Sequence, residues 1–397
     1  MSRKVLFILF SLCAGVVLLS AQQPISNRDP QTRFRGAWIA TVANIDWPKP
    51  LNDSAFASQH PYSIATSQQR DLETLLDSLQ MIGVNAIIFQ VRPTADALYR
   101  SELEPWSHWL TGAQGSPTTY DPLHFAIEAA HARGMELHAW INPYRVNIAI
   151  MDTSVLAPDH LLRLHPEWFW QYGKQWYFNP ALDVTRDWLC AVVEDIVCRY
   201  DIDAIHMDDY FYPYPIRGKE LPDAQDYQRD PRGLDNIGDW RRDNVNRTIK
   251  AVHDIIRSTR PEVQFGISPF GIYSNGTGLT NYYDLYADVI LWVREGWIDY
   301  VAPQLYWEIG RKNADYDLLA RWWAEQVGHY PCRLYIGQAV YRLGGAKENT
   351  AWRNGNEIIR QMRLNETIEG IDGEILYSTR PLLRNPQGII DSLKIEK

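Results

Sequence analysis

Asp208 and Asp209 are adjacent carboxylates at the end of a short apolar run, Ala204 to Met207. The run is typical of a buried strand, whereas charged side chains are rarely buried unless they are paired or used in chemistry. The pattern therefore predicts a strand that carries acids to a functional site. Glycoside cleavage needs two carboxyl groups, since one protonates the leaving oxygen and the other acts as nucleophile or base.

Alternation of side chains along each predicted strand indicates which residues share a face. His206 and Asp208 fall on one face, Ile205 and Met207 on the other, and Asp209 lies at the rim. The same alternation groups residues on four further strands: Gln90 with Arg92, His138 with Trp140 and Asn142, Gly266 with Ser268, and Gln304 with Tyr306 and Glu308. Five strands are thus expected to send polar groups toward one end of the fold.

Asp208 and Glu308 are the predicted pair of catalytic carboxyls. We expect Arg92 and His206 to keep Asp208 ionised, and the aromatic residues before Glu308 to raise its pKa, as an acid requires. Structural alternatives stay open. Asp208 could pair with Arg92 without any chemistry, Asp209 could cap the following loop, and Glu308 could be a solvated loop residue.

Strand-like runs alternate with helical patterns along the chain. The strands are expected at 34–44, 84–93, 135–143, 203–211, 263–270, 300–307, 333–341 and 373–379. Helices are expected at 72–79 after a capping box of Thr66 and Gln69, after the N-cap Asp121, and at 183–200, 239–260, 283–297, 316–327 and 352–363. Eight such alternations predict a parallel (β/α)8 TIM barrel. An open doubly wound sheet is the alternative, but the first βα turn lacks the glycines typical of it.

The loops that follow the predicted strands are long, whereas those that precede the strands are tight. The long loops span 45–65, 94–120, 144–182, 212–238 and 271–281. Functional sites of such barrels are built from the loops that follow the strands. The enlarged loops therefore predict the site at that end of the barrel.

One of these loops carries seven aromatic residues between Trp168 and Phe178. Full exposure of such a run would be unfavourable without a function. We expect half of it to fold back as loop core and the rest to form a wall on which sugar rings stack. Four aromatic residues of neighbouring loops could extend that wall: Trp106, Trp109, Tyr212 and Tyr214.

Composition excludes several classes of function. The chain has 397 residues and a net charge of −9, and without a basic patch it does not suit nucleic acid or an anionic membrane. Its cysteines show no metal-ligand spacing. Cys190 and Cys198 lie too far apart along one predicted helix to form a disulfide, and are expected to be buried small hydrophobes. We expect no metal and no cofactor.

The N-terminus has the pattern of an export signal. Arg3 and Lys4 precede a short apolar run, and a small-residue cleavage site ends at Ala21. We expect a signal peptide at 1–21, a polar leader at 22–32 and a single barrel domain at 33–397, in a periplasmic or secreted protein. A lipid anchor on Cys13 is less favoured, because Leu12 precedes it where a small residue is required. No other stretch is apolar enough to predict a membrane span.

Five stretches resemble, in the same order, motifs of the glycosyl hydrolase-like 10 family. They are FRGAWIATV at 34–42, NAIIFQVRP at 85–93, HAWINPYR at 138–145, IHMDDYFYP at 205–213 and APQLYW at 302–307. The resemblance implies a (β/α)8 barrel that acts on glycans of the bacterial envelope. Some members are divisome-associated glycosidases that cut peptidoglycan strands stripped of their stem peptides. Of the catalytic candidates, only the Asp208–Asp209 pair carries over from the family.

That substrate suggests a second scheme. Peptidoglycan sugars carry 2-acetamido groups, which serve as internal nucleophiles in substrate-assisted glycosidases. One carboxyl of the Asp208–Asp209 pair would then orient the acetamido group while the other protonates the leaving oxygen. Two other functions stay open: a hydrolase of dietary or host polysaccharide, and a non-catalytic barrel that binds glycans.

The residues expected to bind the glycan lie on the lumen side of the strands or in the matching motifs. They are Trp38, Gln90, Arg92, His138, Trp140, Asn142, His206, Tyr210, Gln304, Tyr306 and Trp307. His138 and His206 could instead be satisfied interior imidazoles.

Overall fold

Parallel strands close into an eight-stranded barrel at the positions that the sequence predicts. The strands, in chain order and with an inserted hairpin β4–β5, are β1 (Phe34–Ile39), β2 (Ala86–Arg92), β3 (Glu136–Ile141), β4 (Phe169–Tyr172), β5 (Gln175–Phe178), β6 (Ala204–Met207), β7 (Gln264–Ile267), β8 (Tyr300–Val301), β9 (Arg333–Ala339) and β10 (Gly373–Tyr377). Barrel strands pair in chain order, and β10 pairs with β1 to close the ring. The predicted (β/α)8 class is confirmed.

The computed structural model describes residues 33–51, 59–148, 153–274, 276, 278–345, 347–354 and 356–395. The predicted signal peptide and polar leader lie outside the described residues. No helix within these ranges is long and apolar enough to cross a membrane.

Helices cover the outside of the barrel. Those of the described residues are Pro61–Met81, His108–Thr111, Pro122–His131, Leu161–Leu164, Asp183–Arg199, Ala224–Arg229, Ile237–Thr259, Val289–Arg294, Tyr316–Val327, Thr350–Asn354, Glu357–Glu366, Thr379–Leu383 and Ile389–Ile395. The Asp121 side chain caps its helix as predicted, by accepting from two backbone N–H groups.

Three helix predictions are corrected. The helix predicted at 283–297 is shorter, because only Val289–Arg294 is helical. The capping box at Thr66 is wrong, because the helix already begins at Pro61 and the Thr66 hydroxyl donates to the Tyr62 carbonyl one turn back. The helix predicted at 352–363 is two helices. Asn356 adopts φ 50°, in the left-handed region, which interrupts the helical path before Glu357.

The two faces of the barrel wall bury different residues, as the alternation predicts. Ile205 and Met207 pack in the large cluster between strands and helices. Ala204 points the other way, into a separate cluster that fills the lumen together with Trp38 and Trp140. The face of β6 that carries His206 therefore continues toward the C-terminal end of the barrel, where Asp208 lies.

The aromatic run at 168–178 is the hairpin β4–β5 rather than a sugar-binding wall. Phe169, Trp170, Tyr177 and Phe178 are buried in the main core, and Phe169 pairs with Phe178 across the two strands. Alternating aromatic residues on paired strands stabilise a hairpin by packing. These aromatic residues are part of the main hydrophobic core, so they do not form the expected wall for sugar stacking.

No disulfide joins the cysteines of the described residues, Cys190, Cys198 and Cys332. Cys190 is buried as expected, whereas Cys198 is exposed, because it lies on the solvent side of helix Asp183–Arg199. No group of three or more His, Cys, Asp or Glu side chains is placed to hold a metal ion within the described ranges.

Candidate active site

A cavity of about 270 Å³ opens at the C-terminal end of the barrel. Its lining comes from residues at or beyond the ends of six strands: Trp38, Trp140, Asp208, Asp209, Tyr210, Tyr214, Ser268, Phe270, Gln304, Tyr306, Trp307 and Tyr377. Asp208 and Asp209 provide the carboxyl groups of this lining. The long loops and the polar strand ends thus meet where the sequence predicts.

Asp208 is held by three donors. Trp140 Nε1 donates to its Oδ2 at 3.0 Å, Asn142 Nδ2 lies 3.1 Å from both carboxyl oxygens, and the Tyr210 backbone N–H donates to Oδ1 at 3.2 Å. Burial raises the pKa of Asp208, and these hydrogen bonds together with the Arg145 charge oppose that rise. Donors and a nearby cation favour the ionised form.

Asp209 is the more strongly perturbed carboxyl. It is 3% exposed, and burial, followed by the charge of Asp208, raises its pKa to about 7. The Tyr214 hydroxyl donates to its Oδ2, and Gln304 also forms a hydrogen bond with it. Since two adjacent carboxylates resist ionising together, we assign the proton at neutral pH to Asp209 and the charge to Asp208.

Arg145, rather than Arg92, is the cation next to Asp208. Arg92 is fully buried in a bidentate pair with Glu104, at 2.5 and 2.7 Å, and donates to the carbonyl of Asn142. The expected Arg92–Asp208 contact is therefore wrong, because the β2 register shifts between Gln90 and Arg92. Arg145 instead lies over the Tyr210 ring, 4.5 Å from its centre.

Three other predicted ligands support the barrel beneath or beside the cavity. Gln90 Oε1 accepts from the backbone N–H groups of Thr41 and Val42. His138 and His206 lie in the lumen, where each bonds to the Tyr300 hydroxyl at 2.8 Å. His206 does not hold Asp208 as expected, because its other nitrogen is turned to Ser268.

Glu308 is outside the cavity lining. Its carboxyl accepts from Asn349 Nδ2 at 2.8 Å and from Trp352 Nε1 at 2.9 Å, and lies 3.5 Å from Arg311. Burial raises its pKa, but the hydrogen bonds and the charge of Arg311 together outweigh burial, so that the pKa is lowered. The expected raised pKa is thus wrong, since Trp352 donates a hydrogen bond to Glu308 and does not act as an apolar cover.

Aromatic residues from the strand ends form the walls. Predicted ligands among them are Trp38, Trp140, Tyr210, Tyr306 and Trp307, with Gln304 as the polar member. Sequence reasoning missed Phe270 and Tyr377 and gave Tyr214 only a role in a stacking wall. Tyr377 could have been found, because it shares a strand face with Ile375, a residue of the lumen cluster. Phe270 follows its strand and offered no such signal.

The model of the glycosyl hydrolase-like 10 family matches residues 33–354. The chain belongs to this family. It is 43% identical over 405 residues to glycosyl hydrolase YngK of Bacillus subtilis, covering 99% of this chain and 77% of the relative. It is also 36% identical over 388 residues to glycosyl hydrolase DigH of Escherichia coli K12, covering 92% of this chain and 87% of the relative. The resemblance inferred from the five motifs is confirmed.

Solved structures share the barrel at low sequence identity. The glycoside hydrolase domain of PgaB (BpsB) from Bordetella bronchiseptica aligns with a TM-score of 0.56 and 12% identity, over 91% of this chain and 98% of that one. An α-L-fucosidase of Paenibacillus thiaminolyticus aligns with a TM-score of 0.53 and 13% identity, over 91% of this chain and 48% of that one. At such identities the comparison supports the fold alone.

In this glycosyl hydrolase-like chain, the arrangement can supply one proton and one negative charge at the same point. A pKa of about 7 lets Asp209 carry a proton near neutral pH, while the donors around Asp208 and the charge of Arg145 favour its ionised form. Rings that surround the pair exclude water and offer faces to a sugar. Such a site suits cleavage of a bond whose leaving oxygen must be protonated while positive charge develops nearby.

Proposed function

We propose that the protein is an exported glycosidase that cleaves peptide-free peptidoglycan strands by substrate-assisted catalysis. One observation carries the proposal: Asp208 and Asp209 lie side by side in a cavity walled by aromatic rings, where burial and the charge of Asp208 raise the pKa of Asp209 to about 7. Among the described residues that line the cavity, no third carboxyl is available as a nucleophile. A sugar that brings its own nucleophile removes the need for one.

The proposed reaction has two steps. The 2-acetamido oxygen attacks C1, the bond from C1 to the leaving oxygen breaks, and that oxygen takes the Asp209 proton. Water then attacks C1 and gives a proton back to Asp209, while the oxazolinium ring opens to restore the acetamido group. Asp208 stays ionised throughout and stabilises the positive charge of the intermediate.

The substrate class rests on the required acetamido group and on the expected export. The predicted signal peptide would place the protein in the envelope, where peptidoglycan supplies 2-acetamido sugars. Export is tested by the N-terminal mass of the mature protein, which we expect to begin at Gln22. A mature chain that begins at Cys13 would show a lipoprotein instead.

The substrate is tested by incubating the purified protein with intact sacculi and with glycan strands freed of peptides by an amidase. We expect new reducing ends from the peptide-free strands and few from the sacculi, and none with Asp209→Asn. Turnover of dietary or host polysaccharides alone would contradict the envelope substrate. Binding of strands without any product from the wild type would favour the non-catalytic barrel.

The internal nucleophile is tested with peptide-free strands from which the N-acetyl groups have been removed chemically. Turnover should be lost on these strands and return after re-acetylation. A cyclic thiazoline analogue of the intermediate should inhibit competitively. Equal turnover of the deacetylated strands would contradict the internal nucleophile while leaving glycosidase activity in place.

A further inference from the structure

A chain of hydrogen bonds runs through the barrel lumen beneath the cavity. Ser268 Oγ lies 2.9 Å from His206 Nε2, and His206 Nδ1 lies 2.8 Å from the Tyr300 hydroxyl. The same hydroxyl lies 2.8 Å from His138 Nδ1, and His138 Nε2 lies 3.1 Å from Glu136 Oε2. All five side chains are buried, and the four other than Ser268 lie outside the cavity lining, so their protons must be assigned to partners within the protein.

Trp38 fixes the direction of these bonds at His206. An indole N–H can only donate, and Trp38 Nε1 lies 3.4 Å from His206 Nε2. That nitrogen is therefore an acceptor without a proton. Burial, together with the nearby His138, lowers the pKa of His206 well below its usual value, so the ring is neutral and its single proton is on Nδ1.

The remaining assignments follow without conflict. His206 Nδ1–H donates to the Tyr300 oxygen, so the Tyr300 proton is directed to His138 Nδ1. His138 then carries its proton on Nε2, where it donates to the carboxyl of Glu136. Because the chain ends on an acceptor at Glu136 and begins at a donor-only indole at Trp38, every member is satisfied in one orientation.

Ser268 is the member of this chain that lines the cavity. His206 Nε2 carries no proton, and its single lone pair lies closer to Ser268 Oγ, at 2.9 Å, than to Trp38 Nε1, at 3.4 Å, so the Ser268 hydroxyl is its main donor. The other acceptor within reach, the Met207 carbonyl, lies at 3.5 Å and is also part of the protein. We infer that Ser268 presents only oxygen lone pairs to the cavity and selects a sugar that offers a hydroxyl or amide donor at that point.

A glycine makes room for the chain. A Cβ atom on Gly266 would lie 1.9 Å from Tyr300 Cζ, so only glycine lets the Tyr300 ring cross the lumen at this height. Ser268 directly follows β7 and lies on the same face as Gly266, so the Tyr300 ring and Ser268 both lie on the lumen side. The position of Ser268 thus depends on the packing of Gly266 against Tyr300 in the lumen.

The tautomer of His206 tests the first part of this inference and needs no glycan. Histidine ring nitrogens labelled with ¹⁵N distinguish a protonated from a bare nitrogen, and the His206 signals are identified by their loss in His206→Gln. We expect Nδ1 to be protonated and Nε2 bare at neutral pH. A protonated Nε2, in either the neutral or the charged ring, would overturn the inference.

Selection of a donor, which rests on the proposed function, is tested by binding to Asp209→Asn. The probes are short oligomers of 2-acetamido sugars in which single hydroxyls are replaced by hydrogen or by fluorine, which cannot donate. At one position, both replacements should weaken binding to the same extent, by about 2- to 10-fold for one neutral hydrogen bond. Adding Ser268→Ala should abolish that difference, whereas Ser258→Ala at an exposed serine should not.

Tyr300→Phe sharpens the test, because it removes the acceptor of the His206 Nδ1 proton while keeping the ring. The protonated fraction of Nε2 should rise, and the fluorinated probe should recover part of its affinity. If Asp209→Asn, with Ser268 and Tyr300 intact, binds the fluorinated probe as tightly as the unmodified oligomer, then Ser268 donates and the inference fails. If no probe binds, the proposed substrate fails, while the His206 tautomer still decides the proton assignment.

Discussion

Asp208 and Glu308 accept hydrogen bonds from the same kinds of side chain, but their pKa values shift in opposite directions. Each accepts from an indole N–H, of Trp140 at 3.0 Å and of Trp352 at 2.9 Å, and each accepts from an asparagine amide. Yet the pKa of Asp208 is raised and that of Glu308 is lowered. The donors alone therefore do not decide the protonation of either carboxyl.

Exposure to water makes the difference. Asp208 is deeply buried, and desolvation raises its pKa although the charge of Arg145 opposes that rise. Glu308 keeps contact with solvent and lies 3.5 Å from Arg311. Desolvation and like charge raise a carboxyl pKa, and an opposite charge lowers it. The same pair of donors thus holds an anion in a reactive cavity in one case and fixes a loop in the other.

The largest expected effect is that of Asp209→Asn, which removes the proton donor and preserves the shape of the side chain. We expect kcat on peptide-free glycan strands to fall by about 10²- to 10⁴-fold, the usual contribution of a general acid. Reducing-end release measures it. An artificial substrate with an acidic leaving group should lose less, because it needs no protonation. Equal losses on both substrates would argue that Asp209 has another role.

Asp208→Asn should have the next largest effect. It removes the negative charge that stabilises the cationic intermediate, which is expected to cost about 10²-fold or more in kcat. It also removes the like charge that raises the pKa of Asp209. The alkaline limb of the pH–rate profile should therefore move to lower pH in the residual activity. A limb that stays in place would show that the two carboxyls are not coupled.

The barrel was predictable because its signals are repeated. Eight strands, each with apolar residues on the outer face, alternate with helices, and errors of a few residues at element ends do not change the topology. Two of the helix errors arose locally, where Pro61 already allowed an earlier start and Asn356 adopts a left-handed conformation. Hydrophobic periodicity does not predict the backbone conformation at either position.

The site was predictable only as far as strand alternation reaches. Alternation placed His206 in the lumen and Asp208 at its mouth, but it does not tell which charged group meets which. Arg92 pairs with Glu104, a loop residue whose position strand alternation does not predict. Arg145 lies near Asp208, where Arg92 was expected. Such pairings depend on loop conformation, as does the burial of the 168–178 hairpin.

A smaller effect concerns stability. Below pH 3.8, both folded and unfolded chains hold the Asp209 proton; from there to about pH 7, only the folded chain keeps it. The carboxyl therefore favours the folded state at low pH, and this contribution is lost as pH rises to about 7. Asn does not titrate, so the stability of Asp209→Asn does not fall in this way as pH rises. The difference in Tm, variant minus wild type, should therefore grow from pH 4 to pH 7 and then level off.

The control for this slope is Asp183→Asn, at an exposed carboxyl whose pKa is lowered because Arg186 and Arg247 together outweigh desolvation. That change should give a difference in Tm that is nearly constant toward pH 7 and changes only as pH falls below about 3.8, because the ionised form of Asp183 contributes fully above its unfolded pKa and this contribution is lost as pH falls toward the lower folded pKa. Parallel thermal curves for wild type and Asp209→Asn from pH 4 to pH 7 would contradict the raised pKa of Asp209.

Glu308→Gln should have the smallest effect on catalysis, because Glu308 lies outside the cavity and only anchors its loop. We expect turnover on glycan strands within about two-fold of wild type, and a loss of about 1–3 kcal/mol in the free energy of unfolding, since hydrogen bonds to a charged acceptor contribute that much. Activity and denaturant unfolding of the same preparation measure both. Loss of turnover with an unchanged Km and unchanged stability would return Glu308 to the role of acid across the barrel. The internal nucleophile would then be unnecessary, because two separated carboxyls suffice for glycoside cleavage.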